Sequence, residues 1–154
     1  MTGSAEQLVT VLQSEAETTD ELLKAIEKKQ DSLLYFKADV MGEAVDRERS
    51  LLKQMRELEQ ERQRIVDHLA STVPALRDRS QARALSVSDL VQYVEGNAGK
   101  RLSELARQIQ TVGHLVQQKN QQNRMLLDSS ARFVKNTLGI LTEDRARRLV
   151  DRTI

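Results

Sequence analysis

Apolar side chains recur along most of this chain at alternating gaps of three and four, the spacing that places them on one face of an α-helix. A first run is Leu8, Leu12, Thr19, Leu22, Ile26 and Leu33, widened by Leu23 and Leu34. A second is Leu51, Met55, Leu58, Arg62, Ile65 and Leu69. The third and most regular is Leu102, Leu105, Ile109, Val112, Val116, Asn120, Asn123, Leu127, Ser130, Val134, Leu138 and Leu141. Stripes this narrow, flanked by Glu, Lys, Arg and Gln, are seams of the coiled-coil type. No helix can hide such a stripe by itself, so these must pack on one another or on a partner. The expected fold class is all-α: an elongated antiparallel helical bundle or coiled coil of long helices, with no sheet.

The breaks are fewer than the helices. Thr72-Val73-Pro74 must end a helix, because proline has no amide hydrogen and crowds the preceding turn. Ser86 as N-cap, Asp89 three positions on and the Leu85–Leu90 pair read as a capping-box start with a hydrophobic staple. Gly96-Asn97 ends that short helix, a further helix starts near Gly99-Lys100, and Gly139 is a candidate C-terminal stop. Residues 5–71 read either as one helix, roughly 100 Å long at about 1.5 Å per residue, or as a hairpin turning near Lys37-Ala38-Asp39, with Asp39 as N-cap. The hairpin is preferred, since a single helix would leave much of its seam uncovered. The expected organisation is one domain over residues 1–154: helices over 5–36 and 39–71, a connector over 72–85, a short helix over 87–96, a long helix over 100–140, and a tail or short amphipathic helix over 142–154.

Composition narrows the function. One proline, six glycines and 3% aromatics in 154 residues are too few for an all-β domain. The absence of cysteine excludes disulfide scaffolds, thiolate metal sites and cysteine nucleophiles. A net charge of +1 argues against nucleic acid as a partner. The charge is nonetheless uneven. Residues 1–77 hold 11 basic and 15 acidic groups, and residues 78–154 hold 13 and 8, so helices from the two halves attract modestly. No apolar run approaches the roughly 20 residues needed to cross a bilayer. The first ten residues lack the basic and apolar regions of a signal peptide. A cytoplasmic protein without membrane insertion is expected.

Candidate chemistry is sparse. His68 and His114 lack the Glu-x-x-His spacing of a di-iron bundle, since Ile65 and Thr111 stand three before them, and neither lies in an H-E-x-x-H motif. Gly96-Asn97-Ala98-Gly99-Lys100-Arg101 has only two residues between its glycines and Arg101 where a phosphate loop needs Ser or Thr. Glu57, Glu59 and Glu61 sit among Arg56, Arg62 and Arg64, where same-helix ion pairing accounts for them. No catalytic residue, metal site or cofactor is expected.

The informative stretch is Gln117 to Leu141. Asn120 and Asn123 interrupt the apolar seam, and seam asparagines fix register and partner number at a cost in stability. After them come Met125, Leu126, Leu127, Phe133 and Val134, more apolar surface than one narrow seam uses. Beyond Leu141 the arginine-rich tail reads either as a frayed end or as a short amphipathic arm, whose Leu149, Val150 and Ile154 then form a further apolar edge. This surface is either an internal core layer or an exposed stripe for another protein's helix.

The element Asn120, Asn123, Leu126, Leu127, Asp128 resembles the signature of FlgN-type flagellar export chaperones. The first half agrees: a Leu-rich helix, Asp39, then Glu48 to Lys53 (E-R-x-x-L-L-K) and Leu58 to Arg62 (L-E-x-E-R). The resemblance spans about residues 8–141; the asparagine element is its specific part, and the short arginine-rich tail departs from members with a longer one. It implies a non-enzymatic, ATP-independent chaperone of flagellar type III secretion. Such chaperones bind hook-associated (hook–filament junction) proteins at their C-terminal helices, prevent early assembly and deliver them to the export gate and platform. On this reading Leu126, Leu127, Phe133, Val134, Leu138 and Leu141 contact the client, with Leu149 and Val150 of the tail joining them, and Asn120 and Asn123 set register. The competing class is a structural coiled-coil adaptor or homo-oligomer, in which the same stripes close on further copies.

Overall fold

The computed structural model describes the backbone of residues 2–77, 86–94 and 96–153, and the side chains of residues 3–77, 86–94, 96–140, 142 and 143. Among the described residues every regular element is helical. These elements are α1 (Thr2–Leu34), α2 (Ala38–Thr72), the short α3 (Val87–Val91) and α4 (Asn97–Thr153). α1 and α2 form an antiparallel hairpin, as Arg62 on Glu15 and Lys29 on Glu48 show. α4 runs parallel to α1, since Arg101 meets Gln13 and Lys119 meets Gln30. The central helix is α1, packed along both α2 and α4, while α3 touches α2 and α4 at the base.

The hairpin turns at Tyr35-Phe36-Lys37, slightly before the expected Lys37-Ala38-Asp39. The Lys37 N–H donates to the Ser32 carbonyl (2.9 Å), closing the 6→1 bond of a Schellman motif. Phe36 supplies the left-handed residue at φ 55°, where glycine is usual. Asp39 is not the N-cap. Lys37 occupies that place without a side-chain cap, and Asp39 lies in the first turn, where its charge suits the helix dipole.

α2 ends where Pro74 requires it. Val73 is extended (φ −109°, ψ 112°), and proline then opens a helical turn over residues 74–77 that carries Leu76 fully inside. The rest of the expected 72–85 connector, with the Leu85 staple, lies outside the described residues. Asp89 accepts hydrogen bonds from the Ser86 backbone N–H (2.9 Å) and hydroxyl (3.0 Å), which starts α3. This helix stops at Val91 rather than at residue 96. Gly96, at φ 75°, reverses the chain, and α4 starts at Asn97, earlier than Gly99-Lys100. A Cβ on Gly99 would overlap the Val94 carbonyl oxygen, so the loop packs on α4 only over a glycine.

The stop expected at Gly139 does not occur. α4 continues to Thr153, and the expected tail over 142–154 is part of the same helix as far as it is described. A lone glycine in a helix interior costs only about 1 kcal/mol, and no following proline enforces a break.

Burial is concentrated at the base. Leu8, Leu12, Ala16, Val66, Leu69, Leu76, Leu90, Leu102 and Leu105 belong to one cluster. A smaller one higher up holds Leu22, Ala25, Ile26 and Leu51, with Val116 against it. Between them lies a polar layer. Arg62 Nη1 is 3.1 Å from the buried Glu15 carboxylate, whose Oε1 has no partner, and the Thr19 hydroxyl points at the Met55 sulfur. Burial holds the Glu15 carboxyl above its ordinary pKa, against the downward pull of Arg62.

Candidate functional site

α4 has 57 residues and α1 has 33, so the parallel pair cannot end together. Its last bonds to α1 come from Lys119, Gln122 and Asn123. Lys119 donates to Gln30 Oε1 (3.2 Å), Gln30 donates to Gln122 Oε1 (3.0 Å), and Asn123 Nδ2 donates to the Ile26 carbonyl (3.2 Å). α1 stops one turn past Gln30. From about Leu127 to Thr153, α4 therefore stands clear of the hairpin for roughly 40 Å at 1.5 Å per residue.

The face that α4 turns toward the bundle can be followed by burial. Leu102, Leu105, Ile109, Val112, Val116, Lys119, Asn123 and Leu126 are buried or half-buried, in alternating steps of three and four. The same steps continue to Ser130, Phe133, Thr137 and Ile140, with Leu127 and Val134 along one flank. Every residue from 131 to 140 is exposed. Phe133 is 71% accessible, and Val134, Leu138 and Ile140 are more than half accessible. One amphipathic face thus runs from a packed core out onto an overhang that nothing among the described residues covers.

At the junction the face turns polar. Asn123 is 1% exposed; its Oδ1 has no partner, and its Nδ2 is held by the α1 backbone. Asn123 is thus bonded inside the α1–α4 seam, a place where buried amides of coiled coils discriminate between registers. It cannot at the same time touch a partner on the overhang. Asn120 is half-buried at the edge of the seam. The inward position here is Lys119, where the sequence pattern places Asn120. Lys119 is half-buried, and its ammonium reaches Gln30 on α1. Leu126, not Leu127, continues the seam.

The structure brings Leu127, Phe133, Val134 and Leu138 onto the overhang, with the half-buried Leu126 at its root. The side chains of Leu141, Leu149 and Val150 lie outside the described residues. Met125, named in the sequence as surplus apolar surface but not as a contact, is exposed; sequence reading missed the exposed Ile140 and the group Leu34, Tyr35, Phe36 and Val40 at the hairpin turn. Carrying the seam forward from Val116 in strict three-four steps reaches Phe133 and Ile140. The turn residues carried no pattern that would find them.

The remaining candidates stay apart. His68 and His114 are exposed on different helices, and among the described residues no group of three or more His, Asp or Glu is placed to hold a metal ion. Glu59 pairs with Arg62 across one helical turn (3.7 Å). Among the described residues no helix is long and apolar enough to cross a membrane.

No curated protein and no solved structure matches this chain. The family described as FlgN protein matches residues 1–150, nearly the whole length. The chain therefore belongs to the FlgN family of flagellar export chaperones.

Proposed function

We propose that this protein acts in the cytoplasm as a chaperone of flagellar type III secretion, holding the C-terminal helices of hook-associated proteins on the α4 overhang. The observation that carries this is the continuation of a packed helix face into 14 residues, 127–140, whose apolar members are left in water. Contiguous apolar surface of this kind, rimmed by Asp128, Arg132 and Lys135, suits an amphipathic helix that must itself be kept from premature assembly. Leu126, Leu127, Phe133, Val134 and Leu138 are the proposed contacts, with Leu141, Leu149 and Val150 extending the stripe. Asn120 and Asn123 act from within the bundle by fixing where the overhang begins. Delivery to the export gate and platform proteins follows from the same reading: a client held by one exposed helix can be released without unfolding the chaperone. No step calls for catalysis or a cofactor.

Calorimetric titration with the C-terminal segment of a hook-associated protein, with the flagellin C-terminal segment as control, tests this. Selective binding that is lost on replacing Phe133 and Leu138 by serine, with helix content retained, is the expected result; burial of each such side chain is worth about 1.5–3 kcal/mol. Preference for flagellin would change the client. Binding to neither segment, with a tight homo-oligomer closed through the overhang in sedimentation, would favour the structural adaptor.

A further inference from the structure

The α1–α2 turn combines an unfavourable backbone with an apolar group that the bundle does not use. Phe36 is the only non-glycine residue among those described with a positive φ. Left-handed backbone is rare for a bulky side chain, and glycine is the usual residue at this place in a Schellman motif. Packing does not offset the cost, because Phe36 is 86% exposed, with Leu34, Tyr35 and Val40 exposed beside it. Strain retained at an exposed aromatic points outward, to what that side chain meets.

The position of the turn says what that is. Gln30 is level with Lys119 and Gln122, and the helices run parallel, so the turn lies level with the root of the overhang near Leu126. Below this level the seam face of α4 is covered by α1, a helix. Above it the same face continues from the half-buried Leu126 to Ile140, about 21 Å or four helical turns, and every residue from 131 to 140 is exposed. An element covering that stretch takes up the line that α1 leaves, and its near end meets Leu34, Tyr35 and Phe36.

We propose that the α1–α2 turn is the end wall of the client site: an amphipathic client helix of about four turns lies on the overhang in line with α1, one terminus against Tyr35 and Phe36. This rests on the chaperone reading above and adds to it where the client stops. The occupant is a helix of another protein, because a helix covers the identical face one turn below.

Phe36→Gly separates this role from a structural one. Glycine relieves the backbone, so the melting temperature should hold or rise, while affinity for the hook-associated C-terminal segment should fall about tenfold or more. Phe36→Ala should lose affinity similarly without gaining stability, and a benzophenone amino acid in place of Tyr35 should crosslink to one terminus of the segment. Affinity unchanged in Phe36→Gly, while Phe133→Ser still abolishes binding, would overturn the end wall and leave the chaperone reading intact. A crosslink to the middle of the segment would overturn it as well, as would a Phe36→Gly effect on self-association instead of client binding. Should the wild-type protein bind neither flagellar segment, both readings fall together.

Discussion

The two halves of α4 share one apolar periodicity yet live in different surroundings. From Asn97 to Leu126 the helix is held by α1, with Leu102 and Leu105 in the basal cluster and Val116 against the upper one. From Leu127 onward the repeat is as apolar, through Phe133, Val134, Leu138 and Ile140, but α1 has ended. Propensity and amphipathic pattern therefore do not decide which half is core. The length of the neighbour decides it. An apolar face is left exposed where one helix outruns its partner, and the bundled half holds that face in place.

The widest gap between the halves should appear in hydrogen exchange. A helix without tertiary support opens at little cost, whereas amides in a packed core exchange only through openings approaching the global stability. Amides of residues 131–150 should exchange at least about a hundredfold faster than those of residues 102–116. Mass-spectrometric exchange measures this directly, and bound client should slow the overhang selectively. Equal protection in the free monomer would mean the overhang is covered by something in the chain.

Truncation draws the same contrast in stability. Leu102 is 0% exposed among Leu8, Leu12 and Leu90, and Leu102→Ala should cost about 2–5 kcal/mol in urea unfolding. Leu138, 58% exposed, should cost within about 0.5 kcal/mol on the same substitution. A large loss at Leu138 would assign the overhang to the core and remove the proposed client surface.

The polar layer inside the bundled half responds to pH. Burial raises the Glu15 carboxyl above the ordinary value of 4.5, outweighing Arg62. Between 4.5 and the raised value the native state binds more proton than the unfolded state. The stability this group contributes is thus fully present below 4.5 and is lost as pH rises through the native pKa. The difference in unfolding free energy between wild type and Glu15→Gln should move against the wild type from pH 4 to pH 7, in paired urea transitions where other groups cancel. A flat difference would mean that the pairing with Arg62 fully offsets the burial.

The all-helical class and the family were legible in the sequence because both rest on local pattern: three-four spacing for the first, the Asn120 to Asp128 element for the second. The start of α3 was marked by Ser86 and Asp89 for the same reason. What was not legible depends on partners. Phe36 turns the hairpin where residue preference would put glycine, so no punctuation announced it. Gly139 had the residue type of a stop, but nothing about it forces one. The seam through residues 119–127 offered Leu126 and Leu127 side by side, and apolarity favoured the flank over a line passing through Lys119. That a seam must be covered is written in its spacing; how far the bundle itself covers it is set by where α1 ends.

Asn123 gives the finest test of how the two halves are joined. Its Oδ1 is buried without a partner, and its one bond goes to the Ile26 carbonyl, which lies within α1 and has the helix ladder available to it. Replacing it by leucine strands no buried donor, removes an unsatisfied acceptor and adds apolar contact. Asn123→Leu should raise stability by about 1 kcal/mol in urea unfolding. The loss should appear in register instead, because a seam of leucine and valine permits α4 to slide along α1 by a heptad, and a single buried amide forbids it. Spin labels on the exposed Glu27 and Arg124 should report one narrow distance in the wild type and a broader distribution in the variant. A heptad slide moves the root of the overhang by about 10 Å relative to the Phe36 turn. A more stable Asn123→Leu protein with a single unchanged distance would show that the leucine seam alone sets where the bundle ends. A more stable protein with a broadened one would show that the asparagine's cost in stability is what fixes the length of the free face.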